Sequence, residues 1–170
     1  MKKRGRRAAV ILGAIAAGVI AMDLISKGFL ETRLRLGESI LICDGPITFR
    51  IANVRNPGVA FGMLSGAALQ WRMPFFFIVL ITAGWFLWKL HKEEGSRPGV
   101  GIALGLIGGG AVGNLVDRIR YGEVVDFLDF HISSFHWPAF NIADTAICIG
   151  IGLMAFELVF KDHRMLTSGG

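Results

Sequence analysis

Long apolar runs dominate the order of hydrophobic and polar positions along this chain. Four of them approach the roughly 20 residues that a helix needs to cross the hydrocarbon core of a bilayer. They cover residues 8–25, 73–90, 99–116 and 140–160. The pattern therefore predicts an all-α membrane protein with four transmembrane helices, and residues 1–170 are expected to form a single integral membrane domain.

The first run has an alternative interpretation as a cleavable signal peptide. It combines a basic start, an apolar middle and small residues such as Ala14 and Ala16, which is typical of such peptides. Three further runs follow, so an uncleaved first helix is the more economical interpretation. Five of the first seven residues are Lys or Arg, and the positive-inside rule places such a cluster in the cytoplasm. Four crossings then return the C-terminus to the cytoplasm and leave residues 26–72 and 117–139 as outer loops.

The longer outer segment carries the pattern of a strand. Ile47, Phe49 and Ile51 lie at alternate positions, as in a strand with one buried face. Asn56 and Pro57 precede a glycine in a combination that indicates a turn. We therefore expect a small extracytoplasmic β-sheet within residues 26–72, and a short extracytoplasmic loop or helix in residues 117–139.

Composition supports a membrane protein and argues against one other class. The chain is 53% hydrophobic and 18% charged, with a mean hydropathy of +0.56, whereas soluble domains carry about 25% charged residues. Its net charge of +5 would suit a nucleic-acid partner, but the basic cluster adjoins an apolar run. Cys43 lies in a predicted loop and Cys148 in an apolar run, which argues against a disulfide framework or a metal cluster. Both cysteines are expected to be small buried apolar residues.

The third apolar run is rich in glycine. Its seven glycines are Gly99, Gly101, Gly105, Gly108, Gly109, Gly110 and Gly113. Several lie four residues apart, a spacing that lets neighbouring helices approach closely in a membrane. Helix packing is therefore the expected role for most of them.

Polar residues near the apolar runs gather at one predicted depth. Ionisable groups inside spans cost roughly 2.5–3.5 kcal/mol each on insertion scales, and they usually face a cavity or a partner. Those near the outer ends are Asp23, Lys27, Asn114, Asp117, Arg118, Asn141 and Asp144, with Asp126 in the outer segment between the third and fourth runs. Three helices thus offer polar residues at one height, and a bundle would bring them together.

Helical spacing sharpens this grouping. Asp23 and Lys27 are four residues apart, so they share a helix face and can pair. Asn141 and Asp144 are three apart and share a face in the same way. The alternative is that each group reaches the headgroups independently, which costs little for long side chains at the ends of spans. That alternative is weaker for Asp144, because its side chain is short and it lies about one turn inside the fourth run.

Two aspartates can hydrolyse a peptide bond. When two carboxyls share a site, repulsion separates their titrations, so one stays protonated while the other is ionised. The ionised carboxylate takes a proton from water, and the protonated carboxyl gives one to the carbonyl oxygen or the leaving group. Asp126 and Asp144 are the pair that the predicted topology favours. Spacing alone does not exclude the other acids at that level as catalytic residues, because carboxylates with perturbed pKa values also occur in structural pairs.

Five short motifs carry a resemblance to a known family. They are DLISK at residues 23–27, NPGVAFG at 56–62, GNLVDR at 113–118, VVDF at 124–127 and FNIAD at 140–144. In this order, on four apolar runs of the right polarity, they make the chain resemble the bacterial lipoprotein signal peptidases, signal peptidase II. The resemblance covers most of the chain.

The resemblance implies an aspartic peptidase of the bacterial inner membrane. Such enzymes have four transmembrane helices and cut the signal peptide from prolipoproteins just before a cysteine that already carries diacylglycerol. By position in the motifs, the catalytic residues would be Asp126 and Asp144, near the outer face. The family also implies inhibition by the cyclic peptide globomycin and no metal or cofactor, and we expect a monomer.

The remaining motif residues acquire expected supporting roles from the resemblance. Asn114 and Asn141 would hydrogen-bond the two aspartates or the scissile backbone, and Arg118 would pair with Asp117 or shape the electrostatics of the site. Asp23 and Lys27 would brace the first helix, and Asn56 would place the outer sheet near the substrate. The supporting set is Asp23, Lys27, Asn56, Gly110, Asn114, Asp117, Arg118, Asn141 and Ala143. Purely structural support is the alternative for each member.

Two other classes of membrane protein remain as rivals. A small proton-coupled transporter or channel would use intramembrane acids and a glycine-rich helix. It would also carry polar groups through the whole membrane depth, but the inner halves of these runs are nearly free of them, with Glu157 as the main exception. A structural membrane subunit would leave the gathered acids unexplained.

Overall fold

Three long helices and one small sheet form most of the described part of this computed structural model, which comprises residues 2–58, 78, 81, 82, 84, 85, 89, 92 and 97–167. In chain order the elements are α1 Lys2–Arg33, β1 Ser39–Cys43, β2 Ile47–Asn56, α2 Pro98–Tyr121, β3 Val124–Ile132, β4 Phe135–Phe140 and α3 Ile142–Thr167. The seven described positions between 78 and 92 are helical. The rest of the second apolar run, residues 73–90, lies outside the described residues.

Two of the described helices satisfy the requirements for crossing a membrane by length and composition, namely Arg6–Arg33 and Pro98–Tyr121. The first run was expected to end at residue 25, yet α1 continues to Arg33. The third was expected to end at residue 116, yet α2 continues to Tyr121. Exposed apolar side chains on these helices, such as Val10, Ile25 and Val112, suit a lipid environment. The fourth run forms α3, but four spans stay a prediction.

The strands form one antiparallel sheet in the order β1-β2-β3-β4. The strand predicted from the alternation at Ile47 is confirmed as β2. The loop or helix expected in residues 117–139 is wrong, because most of that segment forms β3 and β4. Valine and aromatic residues fill β3, and such side chains fit a pleated, half-buried surface. Pairing with β3 also satisfies the second hydrogen-bonding edge of β2.

Apolar contacts fasten the sheet to the end of α1. Leu30 near the end of this helix and Leu34 just after it form a buried cluster with Val125 and Phe127 of β3. Burying such side chains is worth about 1.5–3 kcal/mol each. The start of β3, which carries Asp126, is therefore held against the bundle.

A polar cluster, which the sequence did not suggest, also holds the sheet against the helices. Arg55 of β2 forms an ion pair with Glu31 of α1, and its guanidinium lies 3.9 Å from the centroid of the Tyr121 ring. The Tyr121 hydroxyl donates to the same Glu31 carboxylate over 3.2 Å. Three elements, α1, β2 and α2, thus meet at the sheet end of the bundle.

Glycines of α2 allow the close helix packing that their spacing predicted. A Cβ added at Gly101 would lie 3.0 Å from the Ala8 carbonyl oxygen, and one at Gly105 would lie 2.8 Å from that of Leu12. Gly109 repeats the contact one turn further along. Only glycine lets the backbones of α1 and α2 approach this closely.

Gly122 turns the chain from α2 into β3. It caps α2 with φ 71°, in the left-handed region, and its N–H donates to the Arg118 carbonyl. Glycine adopts this conformation without steric cost. The turn places β3, and with it Asp126, directly beside the C-terminal end of α2.

Both cysteines are exposed in the described structure, so the expectation that they are buried is wrong. Cys43 ends β1, an edge strand in which every residue is exposed. Cys148 projects from a face of α3 different from the one that packs on α2 through Gly150. Cys148 therefore lies on the outward-facing side of α3, although the residues around it in the sequence are apolar.

We expect Gly110→Ala to destabilise the protein by about 1–3 kcal/mol, the usual cost of overpacking. A methyl group there would collide with the Ala143 carbonyl oxygen and lie 2.8 Å from Ile147 Cγ1, whereas a methyl group at Gly108 meets no described atom within 4 Å. Thermal unfolding in detergent micelles measures the difference, with Gly108→Ala as the matched control. Equal loss of stability in both variants would contradict the packing role of Gly110.

Candidate active site

Buried polar side chains concentrate where the sheet meets the helices. Among the described residues they are Asp23, Lys27, Asn53, Asn114, Asp117, Asp126, Asp129 and Asn141. Each comes from the sheet or from the adjoining part of a helix, except Asn141, which lies between β4 and α3. The polar residues of the three helices are thus brought together at one level. Burial of such groups without partners would be costly. Their hydrogen-bond and ionic partners therefore define the structure of the site.

Asn141 lies immediately before α3 and forms a reciprocal cap with Asp144. The Asp144 N–H donates to Asn141 Oδ1 over 2.9 Å, and the Asn141 N–H donates to Asp144 Oδ2 over 3.3 Å. This arrangement satisfies backbone donors that a helix start leaves free. Asp144 therefore lies in the first turn of α3 and is partly exposed. Its depth of about one turn inside a membrane span stays a prediction; within the helix itself, which starts at Ile142, Asp144 is the third residue.

Asp126 is almost completely buried, with 2% of its surface exposed. Its Oδ1 accepts a hydrogen bond from Asn141 Nδ2 at 2.7 Å, and its Oδ2 accepts one from Asn56 Nδ2 at 2.9 Å. Burial disfavours the charged form and raises the pKa of Asp126 to about 7, with the nearby charge of Asp144 acting in the same direction. The two amide hydrogen bonds and the charge of Lys27 oppose this rise without cancelling it.

Asn141 connects the two carboxyls. Its side-chain amide donates to Asp126 while its backbone N–H and its Oδ1 engage Asp144. Asn114 Nδ2 donates to Asp144 Oδ1 over 2.8 Å, and Asn114 Oδ1 accepts from Asn141 Nδ2 over 3.1 Å. Each amide oxygen has a donor and each amide nitrogen has an acceptor, so the network fixes both amide orientations.

Lys27 centres a buried ionic network behind these amides. Its Nζ lies 2.6 Å from Asp23 Oδ2, 2.8 Å from Asp117 Oδ2 and 3.3 Å from Asn114 Oδ1. The three acceptors match the three N–H donors of an ammonium group. The predicted pairing of Asp23 with Lys27 is confirmed. Lys27 and Asp117 are both 2% exposed, so the alternative in which they reach the headgroups is wrong.

The same two aspartates hold the backbone next to each carboxyl. Asp23 Oδ1 accepts from the Ala143 N–H over 3.0 Å, and Asp117 Oδ2 accepts from the Val125 N–H over 3.2 Å. Ala143 precedes Asp144, and Val125 precedes Asp126. The ionic network therefore fixes the backbone on which both carboxyls are mounted.

Arg118 joins α2 to the turn after β2. Its Nη1 donates to the Asn114 carbonyl over 3.2 Å, and its Nη2 donates to the Gly58 carbonyl over 3.3 Å. The Gly58 N–H donates to Asn56 Oδ1, which turns the Asn56 amide nitrogen towards Asp126. The charge of Arg118 also interacts favourably with the surrounding carboxylates, first Asp144, then Asp126 and Asp117. Residues 59–62 of the NPGVAFG motif lie outside the described residues.

The fold and the site together define a class of protein. Two of the described helices are long and apolar enough to cross a bilayer. At one end of the helices lie a sheet and two carboxyls, each of which accepts a hydrogen bond from an asparagine amide. Such a pair, with one member buried and near neutral pKa, is suited to general acid and base chemistry. The class is thus a membrane protein with a site capable of hydrolysis.

Comparison with known proteins agrees with this class. Residues 15–160 match the family model for signal peptidase (SPase) II. A lipoprotein signal peptidase of Syntrophus aciditrophicus is 47% identical over 157 residues, covering 91% of this chain and 96% of that protein. A lipoprotein signal peptidase of Geobacter sulfurreducens is 39% identical over 155 residues, covering 91% and 94%.

Solved structures resemble the chain as well. A bacterial membrane enzyme solved by the in meso method at 2.3 Å superposes with a TM-score of 0.76 at 33% identity, covering 89% of this chain and 88% of that one. A second, at 1.9 Å, gives a TM-score of 0.71 at 34% identity. The chain belongs to the signal peptidase II family. It is therefore an integral membrane protein and a peptidase.

Proposed function

We propose that this chain is an aspartic endopeptidase that removes the signal peptide from diacylglyceryl-modified prolipoproteins, cutting before the lipidated cysteine. Asp126 and Asp144 activate the attacking water. The observation that carries the proposal is the binding of both carboxyls by one residue, Asn141. The lipoprotein signal peptidases that resemble the chain over about nine-tenths of its length support the substrate class.

The two carboxyls have different environments, which suggests different roles. Asp126 is the buried member with a pKa of about 7, so we assign it the role of the proton donor, which it fills in its protonated form. Asp144 is partly exposed and accepts hydrogen bonds from Asn114 and the Asn141 backbone. An acceptor with its remaining surface open is suited to bind water and to take its proton.

The reaction then balances without any added group. Asp144 removes a proton from water as the water oxygen attacks the scissile carbonyl carbon, while Asp126 gives its proton to the carbonyl oxygen. In the collapse of the tetrahedral intermediate, the carbon–nitrogen bond breaks and the leaving amine receives the proton held by Asp144. Asp126 recovers its proton from the intermediate's hydroxyl, which returns both carboxyls to their resting states.

The membrane setting follows from the same proposal. Four transmembrane helices, with both termini in the cytoplasm, would place the sheet and the carboxyl pair near the outer face of the bacterial cytoplasmic membrane. The substrate is itself a membrane helix with acyl chains at its cut site, so an active site at the interface gives it both water and lipid. The enzyme acts as a monomer and is inhibited by globomycin-type cyclic peptides.

The pH profile tests the role of Asp126. With a pKa of about 7, its protonated fraction falls from about nine-tenths at pH 6 to about one-tenth at pH 8. Because the protonated form is the acid, kcat/KM should fall as pH rises through 7 and drop about tenfold per unit above pH 8. The measurement is initial cleavage rates in detergent from pH 6 to pH 9, with thermal stability checked at each pH. A flat profile would remove Asp126 as the acid.

Cleavage of a defined substrate tests the proposal as a whole. Purified protein should cut a diacylglyceryl-modified prolipoprotein before its lipidated cysteine, with globomycin blocking the reaction. The matched substrate has its lipidated cysteine replaced by serine, so it carries no diacylglycerol, and it should be cut far more slowly. Proteoliposome flux measurements provide the contrasting assay. Proton-coupled flux without cleavage would overturn the proposal in favour of a transporter.

A further inference from the structure

We propose that Asp129, His131 and His136 form a binding site for a divalent first-row transition metal of the Zn²⁺ type. The three residues are brought together by the pairing of β3 with β4. Asp129 and His131 are two apart on β3 and point to the same face, and His136 of β4 is the cross-strand partner of His131. Side chains of directly opposed residues lie close together on one face of a sheet.

The geometry of the three side chains converges on one small volume. His136 Nε2 lies 2.7 Å from Asp129 Oδ1, and His131 Nε2 lies 3.2 Å from Asp129 Oδ2. The three candidate ligand atoms all lie within 4.8 Å of one another. When ligand atoms bind zinc at about 2.0–2.2 Å, the ligand atoms lie only slightly further from one another than the nitrogen–oxygen distances observed here. Small rotations of the three side chains would therefore make room for an ion.

The chemistry of the ligands fits a transition ion better than a hard cation. Two imidazoles and one carboxylate suit Zn²⁺ and its neighbours in the first row, whereas Mg²⁺ and Ca²⁺ favour all-oxygen sites. Asp129 is 9% exposed, while the side chains of His131 and His136 are 31% and 56% exposed. The carboxylate is therefore held by the sheet, and the imidazoles leave an open side for entry and for water as a further ligand.

The imidazole pair gives a second, independent reason. The rings of His131 and His136 stack at 4.0 Å with an interplanar angle of 8°, and both direct Nε2 at a single carboxylate. Both imidazoles thus present the same ring nitrogen to one carboxylate, an arrangement in which all three side chains can bind a single ion.

The site is separate from the carboxyl pair. Asp129 follows Asp126 by three residues on β3, so strand alternation directs the two side chains to opposite faces. A bound ion would cross-link β3 to β4 and so stiffen the hairpin that precedes Asn141. The inference does not depend on the proposed peptidase mechanism.

Calorimetric titration with ZnCl₂ tests the site directly. The full chain, free of any histidine tag and purified in detergent micelles, is stripped with EDTA, dialysed and titrated at pH 7.5. We expect one saturable site per chain. His131→Asn and His136→Asn should each weaken binding by at least about 10–100-fold, the range seen when even an outer partner of a metal ligand is removed. His163→Asn, which alters a histidine near the far end of α3, is the matched control and should bind as wild type does.

Cobalt provides a signature that a purely structural role would not produce. Co²⁺ added to the stripped protein should give visible absorption bands from histidine and carboxylate ligation, and each of the two variants should lose them. Melting temperatures in EDTA verify that the variants are folded, and Zn²⁺ should raise the melting temperature of wild type and the control only. Absence of saturable binding by wild type would overturn the site, as would equal affinity in wild type and both variants.

Discussion

We expect Asp126→Asn and Asp144→Asn each to reduce the cleavage rate by at least about 10²–10⁴-fold, the usual contribution of a general acid or base, while both variants remain folded. The amide keeps the shape of the carboxyl and much of its hydrogen bonding, but it cannot exchange a proton. At position 126 it removes the acid whose pKa is near 7. At position 144 it removes the acceptor for the proton of the attacking water.

The double variant distinguishes a joint role from two separate ones. If the carboxyls act as a unit, Asp126→Asn with Asp144→Asn should be about as inactive as either single variant, because effects within a catalytic unit are strongly non-additive. Asp44→Asn is the matched control, since Asp44 is exposed in the turn between β1 and β2 and should leave cleavage unchanged. Near-normal activity in either single variant would leave the family assignment standing and exclude the proposed pair.

Local spacing predicted part of the site because part of it is local. Asp23 and Lys27 lie one helical turn apart, and their ion pair follows from that spacing alone. Asn141 and Asp144 likewise meet within one turn, as a reciprocal cap. The glycine spacing of α2 predicted close packing for the same reason, because a helix face repeats with a known period.

Contacts between segments that are distant in the sequence could not be predicted from sequence patterns. The ion pair of Lys27 with Asp117 and the hydrogen bond of Asn56 to Asp126 each need three-dimensional packing that no periodicity encodes. The hydrogen bond of Arg118 to the Gly58 backbone carbonyl likewise depends on packing between distant segments.

The strand β3 was not predicted, because its apolar residues do not alternate with polar ones along the sequence. Val125 and Phe127 pack on α1 while Leu128 and Phe130 occupy the opposite phase of the strand, so apolar residues fill both faces and alternation disappears. The acids within it further suggested a loop. A usable signal was present in the Asp129 and His131 spacing, since ligand-type residues two apart share one face of a strand.

Lys27→Met is expected to cost about 3–5 kcal/mol, the usual effect of removing one partner from a buried ion pair. The change leaves Asp23 and Asp117, 0% and 2% exposed, as buried carboxylates without their shared cation. These carboxylates hold the Ala143 and Val125 N–H groups, so cleavage should fall together with stability. Thermal and denaturant unfolding in micelles measure the loss. Lys89→Met, at an exposed lysine, is the control and should change little.

A triple variant shows whether the loss comes from charge. Asp23→Asn and Asp117→Asn added to Lys27→Met leave amide oxygens to accept from Ala143 and Val125 but bury no charge. Since a buried ionic group can often be replaced by a neutral one at little cost, the triple variant should recover most of the stability lost in Lys27→Met. If Lys27→Met is as stable as wild type, Lys27 does not hold the network together. If the triple variant is no better than the single one, packing of the lysine stem rather than its charge is what the site requires.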